Sequence, residues 1–431
     1  MTAGGAAVEE IPGLVAEPLR GPGRIRLLLY AGTPILIINF AAPYQGLIGL
    51  PITFFLKNRL HLTATQTATF NLIISIPLFV GFLFGFIRDR WSPFQGDRGH
   101  LVVFGLASAA LYVGLAFAPP TYAVWIVGGT LLVAVMQFVA GAAAGLGSGV
   151  GRHHAMSGQM STVMNAATLG PQVIAMLLGG LLAGLLEGAQ AVTAARTFFL
   201  LGAALMLAMA LFGALGPKRL FDDAAAGAEP QRLSLGADAM RFLKTWAVWP
   251  VVIIQLLWQF GPGAGLALQY HLANELHASD AQVGAFFAIF YGGFLPMFLI
   301  YGFLARRLPL GALLWIGAVL AVPQMVSLLF IRSGSGALLA AIPMGLLGGI
   351  GQAAFTDLAM RSCPKGLEGA MMMLFLALFW VSQRVGDLWG SYLYASPGGY
   401  NLTVYVTIAL YAAILPMLFL IPNAIKAGRD A

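Results

Sequence analysis

Long apolar runs separated by short polar stretches recur along the whole chain. Each run is long enough to cross the roughly 30 Å hydrocarbon core of a bilayer as a helix. Because lipid offers backbone groups no hydrogen-bond partners, such runs must form helices. The pattern predicts an all-α polytopic membrane protein with twelve transmembrane helices, numbered below as segments 1 to 12. The runs cover 27–56, 67–87, 101–118, 122–147, 158–186, 195–216, 247–271, 282–304, 310–331, 337–360, 369–394 and 400–423.

The longest polar connection lies halfway along the chain, at 218–244. It contains Ala, Gly and Pro and ends in a short amphipathic stretch, which is typical of an interdomain linker that lies partly on the membrane surface. The predicted organisation is an N-terminal tail at 1–26, a six-helix bundle at 27–217, the linker at 218–244, a second six-helix bundle at 245–424 and a C-terminal tail at 425–431.

The two predicted bundles carry a weak internal repeat. At an offset of 216 residues, six positions of 56–70 are identical in 272–286. At an offset of 211, Gln172 of segment 5 aligns with Gln383 of segment 11. Six segments separate the copies, so both copies have the same orientation in the membrane. Two parallel six-helix repeats around a central cavity are a transporter architecture, with the binding site near the midplane between the halves.

The low fraction of charged residues supports a membrane protein, and the distribution of Lys and Arg among the loops predicts its orientation in the membrane. The chain is 59% hydrophobic and 9% charged, against about 25% charged in soluble domains. Its net charge of +7 comes from residues spread over many short loops, which argues against nucleic-acid binding. With a cytoplasmic N-terminus, 18 of the 23 basic residues fall on the inside, and the exceptions are Lys57, Arg59, Arg196, Arg332 and the intramembrane Arg384. The positive-inside rule therefore predicts an inner (plasma) membrane protein with both termini cytoplasmic.

Charged residues inside segment 11 mark the candidate site. Arg384 and Asp387 lie three residues apart, so they share a helix face and can pair. Placing a charged side chain at bilayer depth costs about 2.5–3.5 kcal/mol of insertion free energy. The presence of the pair therefore needs either a functional or a structural explanation. Both interpretations stay open: a site for an ion or polar solute, or a clasp between two helices. The other polar candidates for substrate binding are Gln383, Gln352, Asn39, Gln255, Gln259 and Gln137.

Two carboxylates are candidates for proton coupling, Asp387 and Asp357. The alternative for Asp357 is an ion pair with Arg361, which lies four residues later on the same helix face. Segments 3, 6, 9 and 12 contain only Gln324 as an interior amide, so every third helix is expected to face lipid.

Metal and cofactor sites are not expected. His153 and His154 fall in a short polar loop and are expected to be solvated, with pH sensing as the minor alternative. With one cysteine in the chain, there is no spacing typical of a metal site, and no cofactor is expected.

The loop after segment 2 carries a family motif. Gly85, Asp89 and Arg90 follow the spacing G-x-x-x-D-R, and Gly170 with Pro171 opens a glycine-rich stretch of segment 5. These residues resemble the signatures of the major facilitator superfamily. The resemblance implies a twelve-helix transporter whose two halves are held by a gating latch at Gly85, Asp89 and Arg90.

Two short stretches resemble a narrower branch. The loop SPFQGDRGH at 92–100 and the run at 363–369 are similar to folate–biopterin transporters. Similar loops occur in related branches with other cargo, so the resemblance does not identify a substrate.

The sequence therefore predicts a secondary active transporter that moves a small polar or anionic organic solute by alternating access, with proton coupling left open. No phosphate-binding loop and no catalytic set at membrane depth are present, so the chain is not expected to be an enzyme. The alternative is a non-transporting membrane assembly or accessory protein, because a fold alone does not define a function. The expected partners are the solute, a proton if transport is coupled, and the lipid bilayer, and the protein is expected to be a monomer.

Overall fold

A computed structural model describes residues 21–429, with gaps at 45–46, 50–51, 53–54, 57–59, 61–63, 91–95, 186–190, 227–239, 241–243, 247, 279 and 364–367. Side chains at 64–68, 89–90, 176–185, 266, 273, 280–281 and 368–370 also lie outside the description.

The described residues form helices and contain no β-strand. The helices of the first half are α1 Pro22–Ala41, α2 Ala64–Phe79, α3 Gly81–Arg90, α4 Asp97–Phe117, α5 Tyr122–His153, α6 Ser157–Leu185 and α7 Ala191–Leu215. The linker contains α8 Lys218–Ala226. The second half contains α9 Val248–Gln259, α10 Leu266–Tyr270 with a π-helix at His271–Glu275, α11 Asp280–Leu304, α12 Leu310–Val326 with a 3-10 turn at Ser327–Phe330, α13 Gly334–Ser362, α14 Glu368–Ala395, α15 Gly399–Ala412, α16 Ile414–Met417 with a 3-10 turn at Leu418–Leu420, and α17 Asn423–Lys426.

Ten helical stretches within the described residues are long and apolar enough to cross a membrane. The two predicted segments outside these ten are segment 5, which forms the 29-residue helix α6, and segment 7, which begins with the 12-residue helix α9. The chain therefore has an all-α polytopic membrane fold, and the total of twelve transmembrane helices stays a prediction.

Polar groups fix several helix ends. The side chain of Thr121 accepts a hydrogen bond from the Val124 amide (3.4 Å) at the start of α5, and Ser333 caps α13 through the Gly336 amide (3.0 Å). Arg98 donates to the Gly213 carbonyl (2.9 Å) at the end of α7. A cation is stabilising at this end because the helix C-terminus carries partial negative charge.

Two large apolar clusters hold the helices together. One is formed by buried residues between Ile38 and Met209, and the other by buried residues between Val248 and Ile421. Each cluster belongs mainly to one half of the chain, whereas a smaller cluster adds Met360 of the second half to residues of the first half and the linker. The domain boundaries themselves stay a prediction.

The linker helix α8 defines one end of the molecule, which we call the linker end. Leu220 of α8 belongs to the same buried cluster as Met156 and Met360. The C-terminal region lies there too, because a Cβ at Gly428 would come within 2.7 Å of the Arg361 guanidinium, and Arg361 directly follows Met360 of that cluster. We call the opposite end, where α5 and α13 begin, the far end.

Candidate functional site

A cavity of about 710 Å³ lies between the two halves. Helix α6 of the first half and helices α9 to α15 of the second half contribute side chains to its wall. A volume of this size is typical of pockets for small molecules.

The intramembrane pair of segment 11 lines this cavity. Arg384, Asp387 and Gln383 all belong to its wall. The Arg384 side chain is 52% accessible, and its Nη1 lies 3.9 Å from Asp387 Oδ2. This separation exceeds the 2.7–3.2 Å typical of a hydrogen bond. The two charges attract each other, but the pair does not occupy the guanidinium fully.

A chain of amide groups crosses from one half to the other at the wall of the cavity. Gln352 Oε1 accepts a hydrogen bond from the indole of Trp258 (2.6 Å) and lies 3.5 Å from Gln259 Nε2. Gln352 Nε2 in turn donates to Asn165 Oδ1 (3.3 Å) on α6. All four side chains line the cavity, so the two halves share a polar network in the cavity wall.

Gln172 reaches the same wall. It is the first-half counterpart of Gln383 in the internal repeat, and both glutamines line the cavity. Of these two aligned residues, only Gln383 was a predicted site residue.

Three predicted site residues lie away from the cavity wall. Asn39 Nδ2 donates to the Ile35 carbonyl of its own helix (2.8 Å). Gln137 is 1% accessible and bonds to the Val133 carbonyl (3.4 Å). Gln255 is 7% accessible and bonds to the Phe355 carbonyl (3.0 Å). In all three residues, the side-chain amide donates a hydrogen bond to a backbone carbonyl, whereas the prediction had these amides bind a solute.

Asp357 is fully buried in the second half, away from the cavity wall. It makes two hydrogen bonds with Arg361, at 2.8 and 3.2 Å, and accepts one from the Tyr301 hydroxyl at 2.8 Å. Of the two sequence interpretations, this geometry favours an ion pair. Because the Asp357 side chain has no accessible surface, the loss of Arg361 would strand a buried charge.

Segment 7 is broken beside the cavity, although its apolar run predicted one continuous helix. Helix α9 ends at Gln259, and α10 begins at Leu266 after the sequence Phe-Gly-Pro-Gly-Ala-Gly. Proline lacks an amide donor and glycine has a high conformational entropy, so this sequence interrupts a helix. The Gly-Pro-Gly at 261–263 was the signal that could have indicated the break.

Hydroxyl groups satisfy the backbone of the break. The Gly263 amide donates to Thr407 Oγ1 (2.8 Å), and the Gly263 carbonyl accepts from the Tyr400 hydroxyl (3.1 Å). The Tyr411 hydroxyl donates to the Trp258 carbonyl (2.8 Å) at the end of α9. Irregular backbone at membrane depth needs such partners when it lines a cavity.

The break also places the backbone of the unwound segment against Asp387 of the charged pair. Gly265 lines the cavity, and any side chain there would collide with Asp387 Oδ1. Glycine at this position therefore allows the carboxylate of Asp387 to lie against the unwound segment.

The cavity wall extends toward the far end and is closed toward the linker end. Gln269 and Gly284, near the far ends of α10 and α11, both line it and are exposed. On the other side, Ser161 Oγ donates to the Ala353 carbonyl (2.6 Å) and Thr162 Oγ1 to the Phe298 carbonyl (2.8 Å). These two bonds join α6 to α13 and α11, so the halves are in contact between the cavity and the linker end.

Two of the helices expected to face lipid also contribute side chains to the cavity wall. Gln324 of α12 is 1% accessible and lines the cavity, as does Tyr411 of α15. Aromatic rings form much of the remaining wall. These are Tyr44, Trp258, Phe287, Phe290, Tyr291, Phe294, Phe298, Phe379, Trp380 and Tyr411.

The predicted latch is described only in part. Gly85 is buried in α3, while the side chains of Asp89 and Arg90 lie outside the described residues. The adjacent Arg88 donates from Nε to Asp97 Oδ1 (2.7 Å) across the loop. A Cβ at position 145 would come within 2.5 Å of the Arg88 guanidinium, so this ion pair sits against α5.

The prediction that both loop histidines are solvated is wrong for His154. Its side chain is 1% accessible, and its Nε2 lies 2.9 Å from Asp223 Oδ2 of the linker helix. The local sequence does not predict this contact, because the partners are 69 residues apart.

Comparisons with known proteins define the fold. No family model matches the sequence, and no curated protein sequence matches it either. The chain is similar in structure to FucP, a major facilitator superfamily transporter in the outward conformation, with a TM-score of 0.71 and 14% identity over 92% of this chain and 99% of that chain. It is similar to the proton:xylose symporter XylE bound to 6-bromo-6-deoxy-D-glucose, with a TM-score of 0.68 and 13% identity over 92% and 96%. It is also similar to a bacterial homologue of the iron transporter ferroportin in the outward-facing state, with a TM-score of 0.64 and 16% identity over 94% and 98%.

These likenesses cover nearly the whole chain and nearly the whole of each solved structure. The chain therefore has the fold of the major facilitator superfamily. At these identities the likeness concerns the fold, and the function has to be argued from the site.

Proposed function

We propose that this chain is a secondary active transporter that moves a small polar or anionic organic solute across the membrane by alternating access. The observation that carries the proposal is a half-accessible guanidinium, Arg384, in the wall of a cavity between two helical halves. All three structural neighbours described above are named as transporters or a transporter homologue.

Arg384 favours an anionic group on the solute. A guanidinium presents five N–H donors and binds carboxylate or phosphate in a two-pronged geometry. Asp387, at 3.9 Å, lies at the outer limit of ion pairing. A bound anion could thus take up the donors while Asp387 keeps the site near neutrality when it is empty.

The rest of the wall suits the body of an organic solute. Aromatic faces pack against flat or ring-shaped groups, and indole and phenol edges add hydrogen bonds. The amides of Gln259, Gln352, Gln383 and Gln172 supply further donors and acceptors. Within the described residues, Gln324 Oε1 is buried without a hydrogen-bond partner, so one acceptor in the wall remains for a solute or a water.

The closed and open ends support an outward-facing state. We propose two six-helix bundles, 27–217 and 245–424, joined by a cytoplasmic linker, with both termini in the cytoplasm. In that orientation the linker end is cytoplasmic, so the contacts of Ser161 and Thr162 close the inner side while the cavity extends outward. Rocking of the halves about the cavity would then release the solute inside.

If transport is coupled to protons, Asp387 is the better candidate carrier. It lines the cavity, whereas Asp357 is held by Arg361 and Tyr301 inside one half. A carrier must respond to solute binding, and Asp387 shares its site with Arg384.

A thermal-shift screen with matched ligands tests the proposal. Purified protein is titrated with organic acids, each paired with its neutral amide, because a ligand that binds the native state raises the melting temperature. We expect hits among the acids only. Arg384→Gln should weaken binding roughly 10- to 150-fold, because hydrogen bonds to charged groups contribute about 1.5–3 kcal/mol. Arg332→Gln, at an exposed cation near the start of α13, is the matched control and should leave binding unchanged.

Uptake of each hit into proteoliposomes separates transport from the alternative function. A transporter accumulates or exchanges the hit and loses this with Arg384→Gln. Binding without uptake would favour an accessory protein on the same fold. Amides that bind as well as acids would rule out the anion site at Arg384.

A further inference from the structure

Three potential metal ligands meet at the linker end, outside the cavity. His153 is the last residue of α5, His154 follows it, and Asp223 lies on the linker helix α8. His154 Nε2 is 2.9 Å from Asp223 Oδ2, and the two imidazole rings are 4.6 Å apart, centre to centre. One ligand atom from each of the three side chains lies within 4.8 Å of the other two.

The backbone holds both histidines in place. The chain leaves α5 through Ala155, which has a φ of 51°. The Met156 amide donates to the Gly151 carbonyl (2.8 Å) and the Ala155 amide to the Arg152 carbonyl (3.2 Å). This pair of bonds is a Schellman motif, which normally has glycine at the left-handed position. The non-glycine residue there shows that the turn is imposed by its surroundings.

The linker helix is equally well fixed. Leu220 of α8 is fully buried, and a Cβ at Gly149 would come within 2.9 Å of the Ala224 carbonyl oxygen. Helix α8 therefore packs directly on the backbone of α5. Asp223 is held opposite the histidines by this packing, whatever its own ion pairs contribute.

The cluster has unused bonding capacity. His153 Nδ1 is buried and has no hydrogen-bond partner within the described residues. A buried ring nitrogen normally finds a partner, so an orphaned one calls for an explanation. A metal ion supplies one, because a neutral imidazole nitrogen is the commonest protein ligand for borderline transition metals.

We propose that His153, His154 and Asp223 bind a divalent transition-metal ion of the zinc class and thereby fasten the linker helix to the first half. Two imidazoles and one carboxylate are a standard ligand set for Zn²⁺, with a fourth position left for water. Ligand atoms around tetrahedral Zn²⁺ lie about 3.3 Å apart for bonds of about 2.0 Å. The three groups would therefore close by roughly 1.5 Å at most, which side-chain rotation provides.

Arg219 is the group that opposes a cation here. Its Nε lies 3.6 Å from Asp223 Oδ2, but its side chain is 63% accessible. Such exposed pairs contribute about 0–1 kcal/mol. A metal ion at Asp223 would displace Arg219 into solvent at little cost.

Cobalt binding to the purified, tag-free chain tests the site. Co²⁺ substitutes for Zn²⁺ and gives visible absorption bands whose intensity reports a tetrahedral environment. We expect one equivalent of Co²⁺ to bind with such a spectrum and to be displaced by Zn²⁺. Asp223→Asn and His153→Gln should each weaken binding at least tenfold. His153→Gln leaves the His154–Asp223 bond in place, so it remains informative if Asp223→Asn does not fold.

His271→Gln is the matched control, because His271 Nδ1 lies 2.9 Å from Glu275 Oε2 and forms the same kind of pair at another position. It should leave the cobalt spectrum unchanged. Zn²⁺ should raise the melting temperature of the wild type and of this control, and not that of His153→Gln. The site is refuted if no tetrahedral spectrum forms, if His153→Gln binds like the wild type, or if His271→Gln abolishes binding.

Discussion

Two hydroxyl groups close the cavity toward the linker end, and their removal should shift the conformational equilibrium. Ser161 is fully buried and Thr162 is 6% accessible. They donate to the Ala353 and Phe298 carbonyls at 2.6 and 2.8 Å, so both bonds run between the halves. If the chain works by alternating access, as proposed above, these bonds exist only while the linker end is closed. The double variant Ser161→Ala with Thr162→Val therefore destabilises one state and not the other.

The size of the shift follows from the geometry. A typical intramolecular hydrogen bond contributes about 0.5–1.5 kcal/mol net. Ser161 should be worth about 1 kcal/mol. Thr162 should be worth somewhat less, because its hydroxyl also lies 3.2 Å from the Gly158 carbonyl and keeps that partner when the halves part. The sum of about 1.5–2 kcal/mol corresponds to a roughly 10- to 30-fold shift toward the state open at the linker end.

Distances between spin labels measure this shift. The single cysteine, Cys363, is 4% accessible and can be replaced by alanine. Labels at Ala123 and Ser335, exposed positions near the starts of α5 and α13, report the separation of the halves at the far end. We expect the double variant to gain a population with a shorter distance between the labels.

A helix-internal hydroxyl provides the control. Thr197 Oγ1 donates to the Thr193 carbonyl of its own helix (2.9 Å), so Thr197→Val should leave the distances unchanged. A folded double variant with the wild-type distance distribution would contradict a role of Ser161 and Thr162 in closing the linker end. An equal shift in Thr197→Val would contradict it as well.

Two glycine–alanine exchanges make further predictions. Gly265→Ala should displace Asp387, since a Cβ there collides with its carboxylate. The affinity for an anionic ligand should then change severalfold. An unchanged affinity would mean that Asp387 does not influence the site. Ala155→Gly should raise the free energy of unfolding by up to about 1 kcal/mol, because glycine adopts a left-handed φ without the cost paid by other residues. A melting temperature equal to or below that of the wild type would contradict this account of the turn.

The length and hydropathy of the apolar runs predicted most of the fold. The apolar runs predicted the helical stretches and the all-α membrane class because length and hydropathy are local properties. The broken segment 7 was missed because its mean composition stays apolar. The interruption also depends on partners more than 130 residues away: Thr407 and Tyr400 bond the Gly263 backbone, and Tyr411 bonds the Trp258 carbonyl at the end of α9.

The candidate site was predicted from the types of polar residue in the apolar segments. In the structure, the hydrogen-bond partner of each side chain decides whether that residue lines the cavity. Arg384, Gln383, Gln352 and Gln259 line the cavity. Gln255 does not, because a carbonyl of α13 accepts its amide. An amide in an apolar helix can either face a cavity or bond to a neighbouring backbone. Sequence alone does not distinguish these outcomes, since both satisfy the same donor.

The helical pieces on either side of the break between α9 and α10 are held in the structure in different ways. Helix α9 is anchored in the apolar core through Val248, Val251 and Ile254, all fully buried. The five-residue α10 and the π-helix beyond it continue past the break toward the far end, where the Tyr394 hydroxyl donates to Glu275 (2.6 Å). Because no continuous ladder of backbone bonds joins the two pieces, α10 and the π-helix can tilt without bending α9. The mouth of the cavity at the far end can thus narrow by a local movement, at the cost of a few hydroxyl bonds, while the core of the second half stays intact.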